Sequence, residues 1–137
     1  MKKLREIKFR CWDKKCKQED LQMFSWEEMK DTQMNDFFSN HNKRYKLMQY
    51  TGLKDKNGME VYEGDIVREQ RKRFKDKHFV AKWNNGIGSY TFKPVDKSAT
   101  SWPCFNIGTV ENLEVVGNIY ENPELLKETN KLRNEDF

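Results

Sequence analysis

Four carboxylates crowd one short stretch of the chain: Asp55, Glu60, Glu63 and Asp65. Paired carboxylates can share acid–base work or hold a hard cation, so the cluster is a candidate for chemistry. The competing account is architectural. Asp55 and Asp65 stand beside glycine turns, where an aspartate side chain accepts hydrogen bonds from nearby backbone. No histidine or lysine stands at a recognisable partner spacing. The architectural account is the stronger: the aspartates tie turns, Glu60 and Glu63 face solvent, and no catalytic residue is assigned.

Cys11, Cys16, His41, His78 and Cys104 could be gathered into a zinc site. Zinc sites show ligands in close pairs on both sides, and here one loose cysteine pair is joined only by isolated histidines. Cys11 fits the apolar face of a strand better. No metal site and no cofactor site is assigned. Gly86 and Gly88 do not build a phosphate loop, because neither a lysine nor a helix start follows them.

The basic run Arg68, Arg71, Lys72, Arg73, Lys75 and Lys77 encloses Phe74. Cations around an aromatic ring can take phosphates while the ring stacks a base, which makes these seven residues the candidate nucleic-acid contact. A solvated hairpin loop whose charges discourage edge pairing explains the same residues. Glu69 and Asp76 interrupt the run and favour the loop. Of the four tryptophans, Trp83 shares a face with Phe79 and Ala81 and fits the core. Trp12 shares a face with Lys8 and Arg10 and fits an interface between chains, where tryptophan is enriched.

These groups need elements to hold them. Residues 6–12 alternate at period two, with Ile7, Phe9 and Cys11 on one face, which predicts a strand. A turn and a second strand over 21–24 complete a hairpin. Ser25 with Glu28 forms a capping-box pattern, which predicts a short helix over about 26–36. Strands follow at 47–50, 59–62, 65–68, 79–83, 90–92 and 113–120. Asn57-Gly58 signals a tight hairpin turn between two of them, of the type that needs positive φ at both residues. Asn122 as cap and Pro123 at the first helical position predict a terminal helix over about 123–133. On it Leu125 and Leu132, seven apart, share one stripe and join Trp12 as candidate interface residues. The helix is too short to stand alone, so it must dock on its own domain or on a partner.

The chain has 137 residues, 36% of them hydrophobic and 35% charged, with 13% aromatic. That length suits one domain, residues 1–137, with a thin core to which each buried aromatic ring contributes about 150–250 Å². Its many short strands and frequent turns predict a mainly β (α+β) fold, a small strongly bent sheet or barrel. The net charge of +4 is mildly basic and does not decide for nucleic acid. No apolar run is long enough to span a membrane, and the N-terminus lacks the apolar segment of an export signal. Three cysteines cannot close a disulfide set, which predicts reduced thiols in a cytoplasm.

The stretch 47–58, LMQYTGLKDKNG, followed by VYEGDIV at 61–67, resembles the signature of the YopX family of phage and prophage proteins. REIKFRCWD at 5–13 resembles the family's opening, and VVGNIYENPELL at 115–126 its close. The resemblance spans nearly the whole chain and is thinnest around 71–77 and 98–106. It implies a bacteriophage or prophage origin, expression in bacterial host cytoplasm, and an SH3-like barrel core. It also implies a homo-oligomer, with a trimer as one form. The family brings no catalytic residues to carry over. The expectation is therefore a phage or prophage accessory protein that is not an enzyme: a self-associating module that binds an unknown host or phage macromolecule. The alternative is a small nucleic-acid-binding domain that uses Arg68 to Lys77.

Overall fold

The computed structural model describes residues 6–18, 21–31, 34–39, 43–69, 77–95 and 112–128. The chain divides into two compact units, Met1–Gly52 and Leu53–Phe137. Among the described residues the elements run β1 (Phe9–Asp13), β2 (Met23–Phe24), α1 (Trp26–Lys30), α2 (Met34–Ser39), β3 (Tyr45–Lys54), β4 (Glu60–Tyr62), β5 (Asp65–Glu69), β6 (His78–Asn84), β7 (Ser89–Pro94), β8 (Leu113–Asn118) and α3 (Leu125–Glu128). The protein is mainly β, with helix directly after the first hairpin.

In the first unit β1 lies antiparallel between β2 and β3, with Cys11 opposite both Phe24 and Leu47. Directly opposed residues share a face, so Phe9, Cys11, Phe24, Tyr45 and Leu47 form one apolar surface. Met29 and Phe37 from the two helices close over it, and with Cys11 they are the buried centre of this unit. The helix expected over 26–36 is two helices. The capping box is present: the Ser25 side chain accepts from the Glu28 amide, and the Glu28 carboxylate accepts from the Ser25 amide. Asp31 ends α1, and α2 begins at Met34. Met29 and Phe37 are eight residues apart, and the break lets each helix bury its own residue.

In the second unit the sheet order is β7-β6-β5-β8. Val67 faces Phe79 on β6 and Val115 on β8, and Ala81 faces Phe92 on β7. Together with Val61 and Leu113 these side chains make the second core. A register shift between Ile66 and Val67 against β8 marks a bulge. Pro94 is the last residue of β7, an edge strand, where its missing donor costs the ladder nothing.

Two terminal details differ from expectation. The described part of the last helix is Leu125–Glu128, beginning two residues later than expected, and Leu132 lies outside the described residues. Asn122 does not cap that helix with its side chain. Its Oδ1 turns back to accept from the Asn118 amide at 3.2 Å, and only its backbone carbonyl accepts from Leu125.

Candidate functional site

Asp55 is 6% exposed and surrounded by donors. Its Oδ1 accepts from the amides of Asn57 at 2.8 Å and Met59 at 2.9 Å, and its Oδ2 accepts from the Val115 amide at 2.9 Å. The turn itself is closed by the Gly58 amide donating to the Asp55 carbonyl. This places Lys56 and Asn57 at the centre of the turn and Gly58 at its end with φ +82°, one residue on from the register expected of Asn57-Gly58. A three-residue hairpin loop ending in a left-handed glycine is the arrangement seen. Asp55 explains the shift, because its side chain holds the amides on both sides of Gly58.

Asp65 is buried beside the next turn and accepts from the Tyr62 amide at 2.8 Å. Both aspartates therefore bind backbone. Glu60 and Glu63 are half-buried and not solvent-facing as expected. Among the described residues no group of His, Cys, Asp and Glu is placed to hold a metal ion. Of the zinc candidates, Cys11 is buried and Cys16 half-buried as free thiols; His41 and Cys104 lie outside the described residues. Burial, and then the charge of Asp13, push the Cys11 thiol from 9.0 up to about 12. It is a core residue and a poor nucleophile.

The first unit holds a buried carboxylate that the sequence reading passed over. Asp13 accepts from Arg44 Nε at 3.1 Å and Nη2 at 3.0 Å, in a two-pronged pair, and from the Lys15 amide at 3.0 Å. Burial alone would raise its pKa; the guanidinium and the amide outweigh burial and hold it below 3.8. The Arg44 guanidinium also lies 5.1 Å from the centre of the Tyr45 ring. The pair locks the end of β1 to the turn residue just before β3.

The candidate nucleic-acid residues fall out as follows. Arg68 is on β5 and donates from Nη2 to Glu114 Oε2 on β8 at 2.6 Å, so it serves the sheet. Lys77 is half-buried, and its carbonyl accepts from the Glu69 amide at the root of the connection. Arg71, Lys72, Arg73, Phe74 and Lys75 lie outside the described residues. Of the interface candidates, Trp12 and Leu125 are half-buried.

Trp83 departs most from expectation. It does not join the core but is 46% exposed at the mouth of the β6–β7 hairpin. Its indole N–H donates to Asn85 Oδ1 at 2.8 Å, and Tyr90 meets the ring edge-on, 4.9 Å between centroids at 74°. An open concavity of about 300 Å³ lies here, with Trp83, Lys82, Asn85, Thr91 and Lys93 among its lining residues. The signal was present in the sequence: Trp83 is the penultimate residue of β6, directly before the Asn84-Asn85-Gly86 turn, where a strand has left its core.

The family model described as YopX protein matches residues 8–127, across both compact units. The chain belongs to the YopX family. Among solved structures, the crystal structure of protein EF1440 from Enterococcus faecalis is similar at 25% identity. The likeness covers 90% of this chain and 99% of that one, with a TM-score of 0.58. No curated protein matches the chain. Among the described residues no helix is long and apolar enough to cross a membrane.

Proposed function

We propose that this YopX protein is a non-catalytic accessory protein of a bacteriophage or prophage, working in the bacterial host cytoplasm as a self-associating interaction module. The observation that carries the reading is a row of rings at the surface of the first unit. Phe38 on α2 is 43% exposed and meets Phe9 edge-on at 5.3 Å, and Phe9 in turn lies 6.1 Å from Trp26. Aromatic side chains are enriched where surfaces are buried between chains, and a ring held by other rings loses little freedom on binding. The burial of Asp13, Asp55 and Asp65 against backbone amides and Arg44 supports the non-catalytic part, because it gives the carboxylates architectural work.

Sedimentation velocity across micromolar concentrations tests the reading. Self-association is expected, in a trimer or another closed form, and Phe38→Asp is expected to shift the mass toward the monomer while leaving the thermal midpoint near that of the parent. A parent chain that is a clean monomer throughout would remove the self-association. Deleting residues 123–137 examines the terminal segment, which holds Leu125 and Leu132, as a second contributor. Unchanged mass and unchanged melting would remove that contribution.

A further inference from the structure

The row of rings in the first unit has a definite length and a definite charge around it. Trp26 stands on α1, Phe9 on β1 and Phe38 on α2, with successive centroids 6.1 and 5.3 Å apart. End to end the row reaches at most about 11 Å. The β1 pairing continues outward, with the Lys8 carbonyl accepting from Tyr50, and Ile7, two residues ahead of Phe9, is exposed as well. In the single chain the row is an open seat, since Phe38 is 43% exposed.

The helices that carry its two ends are acidic. Glu27, Glu28, Asp31 and Asp36 are exposed, and the one cation over residues 26–39 is Lys30, which Glu27 already pairs at 3.1 Å. An occupant suited to this surface brings apolar side chains about a row's length apart, with cations beside them. The far end of the chain has that pattern. Leu125 and Leu132 are seven residues apart, which on a helix puts them on one stripe about 10.5 Å apart. Lys131 and Arg133 flank Leu132, and residues 127–133 carry three cations against Glu128 alone. The chain runs on past Glu128, the last residue of α3, to Phe137. A helix this short is marginal by itself and gains stability by laying such a stripe on a surface, with anchors at i and i+7.

We infer that the C-terminal segment of a second copy, Leu125 to Arg133, lies along the aromatic row. Its two leucines rest on the rings, and Lys131 and Arg133 stand beside the carboxylates of α1 and α2. The inference rests on the self-association reading and deepens it by naming what meets what: one surface of each copy meets a different surface of the next. Such head-to-tail contacts build rings, of which the expected trimer is one, or filaments, and not a dimer of like surfaces.

Two full-length variants test this by sedimentation velocity. Phe38→Asp spoils the row and keeps the segment; Leu132→Asp spoils the segment and keeps the row. Each alone is expected to be monomeric. Mixed in equal amounts, they are expected to form a dimer through the one contact left intact. A labelled synthetic peptide of residues 122–137 is expected to bind the Leu132→Asp chain in fluorescence anisotropy. That binding should fall about tenfold when the peptide carries Leu132→Ala, and should weaken as salt rises from about 50 to 500 mM. A parent oligomer whose mass Leu132→Asp leaves unchanged overturns this inference alone, with self-association still standing. Two monomeric variants that stay monomeric when mixed do the same, as does a peptide that binds equally well once Phe38→Asp is added to the Leu132→Asp chain. A parent that is a clean monomer removes self-association. Peptide binding to the Leu132→Asp chain would then mean that the segment seats on its own chain, which overturns the second copy as occupant.

Discussion

Replacing Asp55 by asparagine changes one atom of a buried group and asks whether its charge and its second acceptor hold the second unit together. In the native arrangement three backbone amides converge on the two carboxylate oxygens. Asparagine can keep Oδ1 between Asn57 and Met59, but then its NH₂ stands where Oδ2 was, 2.9 Å from the Val115 amide. Two donors face each other there. A hydrogen bond to a charged acceptor contributes roughly 1.5–3 kcal/mol, and an amide left facing a donor loses that much or more. Asp55→Asn is therefore expected to cost about 2–3 kcal/mol. For a chain of this length that lowers the thermal midpoint by roughly 6–12 °C. Asp55→Ala removes all three acceptor bonds, yet Asn57 and Met59 are exposed and water can replace theirs. It should cost only about 1 kcal/mol more than the asparagine variant. Urea denaturation gives the energies, and amide hydrogen exchange at Val115 gives the location, since that proton loses its partner in both variants. A change below about 0.5 kcal/mol in Asp55→Asn, the size of an ordinary surface substitution, would refute the account.

Other consequences follow from single contacts. Asp13 is held below its ordinary 3.8, so its stabilising contribution is present above that pH and is lost as the pH falls through the lower folded value. Arg44→Ala removes the dominant lowering influence and leaves burial, so the acid unfolding midpoint should move to higher pH; an unmoved midpoint would count against the pair. The Cys11 thiol, raised to about 12, should resist alkylation near pH 8 while Cys16 reacts, and peptide mapping by mass spectrometry distinguishes them. Because the folded value is the higher one, stability linked to Cys11 is intact below about 9 and declines as the pH rises toward 12, which a Cys11→Val variant should lessen. A methyl added at Gly117 would sit 2.5 Å from Asn122 Oδ1 and 3.0 Å from Asn122 Cβ. Asn122 cannot turn aside without releasing the Asn118 amide, so Gly117→Ala should cost about 1–3 kcal/mol, and adding Asn122→Ala should recover part of it. Simple additivity of the two changes would show that the clash is not the cause.

Local patterns with one physical solution were legible in the sequence. The alternation at 6–12 became β1 from Phe9 on, with Ile7 left exposed ahead of it, the capping box started α1 at Trp26, and the strands after Asp65 and His78 lie close to where period two put them. What was not legible depended on groups far apart in the chain. Nothing near Asp13 announces Arg44, thirty-one residues on, because an ion pair across strands has no spacing of its own. The shift of the Gly58 turn needed Asp55 to be recognised as an acceptor for both sides of the loop, and its third bond reaches Val115 on a strand sixty residues later. Trp83 was misplaced by period two itself, which continues to assign a face after the strand has passed the edge of the core.

The stretch from Tyr50 to Val67 carries the family resemblance, and its distinctive residues are accounted for by turns: Asp55 on three amides, Asp65 on the Tyr62 amide, Gly58 and Gly64 at positive φ. Residues committed to backbone in this way are poor candidates for binding a ligand, since any ligand would have to replace bonds that hold the fold. Phe38 is the reverse case, 43% exposed and a member of neither core. Stability and association should therefore separate by position, with Asp55 variants losing melting temperature and Phe38→Asp losing mass in sedimentation. A Phe38→Asp chain that melts as far below the parent as Asp55→Asn does would place the ring with the architecture and take the aromatic row away as a contact between chains.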